Sequence, residues 1–99
     1  ASYINFPNPF AAGRQATAFA FNLPRPGRVS LRIWTPRGES VTTLLRDRSL
    51  GAGLHQDLGW DGRNGKGQVV RNGAYLAELT VDYEGGGRER LLRKVAVVR

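Results

Sequence analysis

His55 is the single histidine of the chain and stands two residues before Asp57. On a strand that spacing puts both side chains on one face, where an imidazole and a carboxylate could share a proton. Nucleophilic catalysis would also need a hydroxyl converging on the imidazole, and Ser2, Ser30, Ser40 and Ser49 stand in no motif that would bring one there. The eight acidic residues are scattered, none in a setting that would raise its pKa for paired-carboxylate hydrolysis. Asp61 and Asn64 lie three apart in a glycine-rich loop, but a hard cation takes about six to eight oxygens. This loop offers one carboxylate beside Arg63 and Lys66, so the pair reads as Asx turns that shape the loop. No helix is expected after Gly67, which leaves the glycines without a helix N-terminus for a phosphate. There is no cysteine, hence neither a disulfide framework nor a thiolate metal site. The sequence assigns no catalytic residue, no cofactor and no metal ligand, and the chain reads as a non-enzyme.

The formal charge is +7, with thirteen arginines against two lysines. Nucleic-acid recognition needs a clustered basic stripe or a stacking platform, and here the arginines are dispersed. Arg28 and Arg32 alternate with Val29, Leu31 and Ile33, which puts them on the solvent face of a strand. Arg88, Arg90 and Arg93 flank the last strand. A solvated, edge-protecting role fits them, and the preference for arginine also fits genome composition or a hot habitat. The same charge keeps a polyanion- or polysaccharide-binding module open as an alternative, one whose binding would be salt-sensitive. Trp34 points outward on that alternation, and a protein contact or cover from the N-terminal segment suits it better than a sugar.

The elements that would position these groups follow from periodicity. Apolar residues make up 40% of the chain and recur in period 2, punctuated by thirteen glycines and five prolines, a pattern of all-β sandwiches. Strands are expected near residues 2–7, 17–23, 28–35, 40–46, 54–60, 74–83 and 89–98. The inward set is Phe19, Phe21 and Leu23; Val29, Leu31 and Ile33; Leu54 and Leu58; Tyr75, Leu79 and Val81; Val95 and Val97; Trp60 caps the core. Residues 24–27, 36–38, 51–53 and 85–87 supply turns, the last as a hairpin tip. Ninety-nine residues suffice for one domain, 1–99. No apolar run approaches the roughly 18 residues of a membrane-spanning helix. Ala1 reads either as a processed end or as a domain boundary. Residues 1–10 carry Tyr3, Ile4, Phe6 and Phe10 together with two prolines, which suits an edge strand. That strand packs on its own sandwich in the simpler reading, or is donated to a neighbouring copy.

Further signals lie in Trp60–Tyr75, where Asp61-Gly62 and Asn64-Gly65 allow a tight reversal and Gly67 and Gly73 frame Val69 and Val70. Together with Asn8-Pro9-Phe10, Leu23-Pro24, Gly38 and Gly53, this ordered set resembles the Ig-like domain of the flagellar hook-capping protein family and the C-terminal sorting domains of type IX secretion. The resemblance covers nearly the whole chain. It implies a fold signature of Asn8, Pro9, Phe10, Gly38, Gly53, Trp60, Asp61, Gly62, Gly67, Gly73 and Tyr75. Two departures stand out. Thr35-Pro36 occupies a place where the family usually has an acid, and Gly53–Trp60 is one residue longer, which predicts a β-bulge near Gly59.

The expectation is a seven-stranded antiparallel Ig-like, fibronectin-type-III-like β-sandwich. Its function is expected to be that of a non-catalytic structural module, secreted or on the cell surface, touching protein partners or like copies through its edges, as in a filament. Tyr3, Ile4, Phe6 and Trp34 are the candidate interface. The resemblance implies the alternative of a sorting or accessory module of a larger secreted or hook-cap protein.

Overall fold

Alternating apolar residues become strands close to where they occur in the sequence. The computed structural model describes residues 2–99, and its strands are β1 (Ser2–Phe6), β2 (Phe10–Ala11), β3 (Thr17–Leu23), β4 (Gly27–Trp34), β5 (Ser40–Leu50), β6 (Gly53–Trp60), β7 (Gly73–Tyr83) and β8 (Arg88–Val98). They form a three-stranded sheet in the order β1-β3-β6 and a five-stranded sheet in the order β2-β8-β7-β4-β5. The sandwich class holds, with two corrections: among the described residues there are eight strands instead of seven, and the larger sheet is mixed because β2 runs parallel to β8.

The extra strand is too short to show a period. A side chain specifies it instead: Asn8 Nδ2 donates to the Lys94 carbonyl at 2.9 Å, while Asn8 Oδ1 accepts from the Ala96 amide at 2.9 Å. The carboxamide thus occupies the place of one peptide unit on the free edge of β8. Phe10 and Ala11 then continue along that edge opposite Val97 and Val98.

Both sheets turn their apolar rows to a shared core, in which each fully buried large side chain contributes about 1.5–3 kcal/mol. Near one end Trp60 meets Phe10 and Tyr75 edge-on, at 5.6 Å in both cases. Its indole N–H donates to the Arg63 carbonyl at 2.8 Å, and the Tyr75 hydroxyl donates to that of Arg71 at 2.7 Å, so the polar ends of both rings are satisfied. Gly62 lies beside this cluster with φ +84°, and a Cβ there would stand 2.3 Å from that of Ala12. Backbone conformation and lack of space both demand glycine at this point.

Three further expectations are corrected. Tyr3 is core, not interface: it is 1% exposed and its hydroxyl donates to the Ala77 carbonyl of the opposite sheet. The bulge lies not at Gly59 but between His55 and Leu58, where Gln56 and Asp57 together oppose Ala20. One extra residue there reverses the facing of everything on its far side, so Leu54 points to solvent with 59% exposure while Leu58 stays half-buried. Finally, β5 runs to Leu50 and not 46, because its eleven residues are taken up against the eight of β4 by three register shifts.

Candidate functional site

The outer face of the three-stranded sheet is built from the residues that alternate away from the core. β1 presents Ser2, Ile4 and Phe6; β3 presents Ala18, Ala20 and Asn22; β6 presents Leu54, Gln56 and Gly59. Register places Phe6 beside Ala18 and Ala18 beside Gly59, Ile4 beside Ala20, and Asn22 beside Leu54. Ile4, Phe6 and Leu54 are 63%, 75% and 59% exposed, standing around a floor of alanine and glycine. None of these residues is charged, and β1, β3 and β6 contain no lysine or arginine at all, Asp57 at the bulge being their single acid.

The outer face of the five-stranded sheet is the reverse. Its strands carry seven arginines, one lysine and four acids. Asp82 pairs in register with Arg28 on one side and Arg88 on the other, and it forms an ion pair with Arg88 at 3.5 Å. Arg28 reaches Asp47 at 3.1 Å. Glu78 accepts from Trp34 Nε1 through one carboxylate oxygen and from Arg90 Nε through the other. Burial pushes the Glu78 carboxyl up, but the hydrogen bonds from Arg90 and Trp34 and the charges of Arg90 and Arg32 outweigh it and hold it below the usual carboxylate value. Trp34 is therefore tied to its own sheet. The N-terminal segment does not cover it, since β1 belongs to the other sheet.

The edges offer less. β1 is paired with β3 of its own chain, and Arg93 Nε donates to the Tyr3 carbonyl at 2.7 Å, capping that edge. The β5 edge is bulged, carries Asp47 at φ 45° between two arginines, and is met at Val41 by the Gly65 amide. β6 is bulged, and β2 is two residues long. Each is a recognised way of blunting a sheet edge.

His55 stacks on Phe21 at 5.5 Å and its Nε2–H donates to the Gly51 carbonyl at 2.7 Å. Asp57 lines, together with His55, the hollow of about 230 Å³ at the open side between β5 and β6, although the bulge interrupts the ladder at that point. No serine joins them in that lining. Asp61 and Asn64 make the turn contacts read from the sequence: Asp61 Oδ1 accepts from the Arg63 amide, and Asn64 Oδ1 from those of Lys66 and Gln68. Of the interface residues named from sequence, the structure groups Ile4 and Phe6, places Trp34 on the far face and buries Tyr3. Leu54, Ala18 and Ala20 were not named. The absence of basic residues from three of the strands is the signal that could have found them.

No family model matches the chain, and none of the curated proteins does. Among solved structures, the chain is similar to FlgD of P. aeruginosa at 20% identity and a TM-score of 0.65, over 84% of this chain and 61% of that one. It is also similar to FlgD of Xanthomonas campestris, described in connection with hook capping essential for flagellar assembly, at 18% identity and a TM-score of 0.61, over 97% of this chain and 64% of that one. The chain thus spans less than two thirds of either protein. At these identities the likeness establishes the fold. Neither structure is a sorting domain, so that half of the sequence resemblance gains no support.

Proposed function

We propose that the chain is a non-catalytic structural module, with the fold of the hook-capping proteins, that works in protein assembly at the bacterial cell surface. The observation that carries this reading is the outer face of the three-stranded sheet. Three large apolar side chains stand exposed on one uncharged face, and exposed apolar residues grouped on a soluble protein mark a contact site. The edge-mediated contact expected from sequence gains nothing from the bulged and capped edges. Polyanion binding is weakened by the pairing of Arg28, Arg88 and Arg90 with acids.

The test is genetic and biochemical together. Replacing both Phe6 and Leu54 by aspartate in the cell that encodes the chain should leave the protein folded and at normal level, since both side chains are exposed, yet abolish completed hooks. Cells with normal hooks and the doubly substituted protein would overturn the reading.

A further inference from the structure

Relief on the uncharged face has a direction. Ile4 and Phe6 stand as a ridge along β1, and Ala18 and Ala20 form a valley along β3, the next strand in register. Neighbouring strands lie about 4.8 Å apart. A twofold axis parallel to the strands, midway between ridge and valley, would carry the ridge of one molecule onto the valley of another and the reverse at once. That is the self-complementarity an isologous contact requires. From these relations we infer that the partner of this face is a second copy of the chain, packed sheet on sheet, with Ile4 and Phe6 of each copy seated over Ala18 and Ala20 of the other. The inference rests on the reading of this face as a contact surface and names its occupant.

Charge supports a like copy over a strongly charged partner. Each chain carries +7, yet Ser2, Ile4, Phe6, Ala18, Ala20, Asn22, Leu54 and Gly59 contribute none of it. Two copies meeting here bury no charge, while the strands of the other sheet carry eight basic residues against four acids, a net-positive surface that does not favour a like copy. Aligned sheets of a sandwich cross at about 30°, an angle that the ridge and valley of short strands tolerate. So small a face buries less than the roughly 1,200 Å² of a standard interface, which makes the dimer a weak one.

The long-range repulsion of two +7 bodies gives the contact an unusual salt response. Between about 0.01 M and about 1 M salt the screening length falls from about 30 to about 3 Å, so the dimer should strengthen as salt is raised. Light scattering and sedimentation over a concentration series should show a monomer–dimer equilibrium that stops at two copies. Phe6→Asp should raise its dissociation constant about 30-fold or more, the scale of a central hot spot, whereas Trp34→Ala on the opposite sheet should leave it unchanged. The decisive variant is Ala18→Leu, which makes the face more apolar but fills the valley. Seating of ridge in valley predicts weaker dimerisation, and general stickiness predicts stronger. Stronger association of Ala18→Leu, a dimer dissolved by salt, growth beyond two copies, or a monomer throughout would each overturn the inference. A monomer in solution combined with loss of hooks in the Phe6 and Leu54 double variant would remove the second copy while the assembly reading stands. A valley-sensitive dimer combined with normal hooks would do the opposite.

Discussion

Across the five-stranded sheet the row Arg28, Asp82, Arg88 alternates charge strand by strand. Across the three-stranded sheet the row Phe6, Ala18, Gly59 carries no polar atom outside the backbone. Both rows lie on the water side of strands that turn their other side chains to the shared core, so the core does not demand the difference. Strand propensity does not demand it either, because threonine or arginine would serve in place of Phe6. Outer-face composition is free of the fold, and here it divides the molecule into a charged, net-positive face and an uncharged one.

The largest effect that bears on this comparison comes from two residues of one strand. Tyr3 and Phe6 both belong to β1, one 1% and the other 75% exposed. Tyr3→Ala removes a ring from the core and its hydroxyl from the Ala77 carbonyl, and should cost about 3–5 kcal/mol in denaturant unfolding. An equal cost for Phe6→Ala would mean that the outer face is not free of the fold.

Next in size is the centre of the charged face. Glu78→Ala leaves the Trp34 indole and the Arg90 guanidinium without their acceptor and should cost about 1–3 kcal/mol. Its pH dependence has a defined sign. The Glu78 carboxyl is held below its ordinary 4.5 in the folded chain, so its contribution is present above that value and is lost as pH falls through the folded pKa. Glu78→Gln should flatten that part of the acid unfolding curve below about pH 4.5. An unchanged acid slope would show that the hydrogen bonds of Trp34 and Arg90 do not favour the ionised form.

Seven of the strands were legible because period-2 rows such as Val29, Leu31, Ile33 and Tyr75, Leu79, Val81 report one buried face whatever the partner strand. The uncharged face was only half legible. Ile4 and Phe6 could be placed, but the facing of Leu54 depends on a bulge whose position is set by pairing with β3 and leaves no mark within β6 itself. Tyr3 was misassigned for a related reason. In a five-residue strand with apolar residues on both faces, alternation alone does not say which face is inward, and that choice comes from the hydroxyl's partner in the other sheet. β2 was invisible, since a side-chain amide of Asn8 specifies it and no pattern in Phe10 and Ala11 does. The charge distribution was available in the sequence but was read only as dispersed arginines. A chain of charge +7 with no basic residue in three strands already separates two kinds of surface.

The smallest effect on stability gives the sharpest contrast between the faces. Phe6→Thr and Leu54→Thr keep a strand-compatible residue at mostly exposed positions and lose little buried area, so each should alter stability by no more than about 0.5 kcal/mol. Arg28→Thr on the other face breaks an exposed ion pair with Asp47, whose side chains are 60% and 62% exposed, and should cost no more than about 1 kcal/mol. Solubility should separate what stability does not. The two threonine variants of the apolar face should raise the concentration at which the protein precipitates in high salt, because they remove exposed apolar surface while leaving the net charge intact. Arg28→Thr should lower the threshold in low salt, where repulsion between copies is unscreened, by removing one of the charges that keep copies apart. Equal shifts for all three would mean that net charge and apolar area act through the surface as a whole. Opposite shifts would tie the apolar term to one face and the repulsive term to the other.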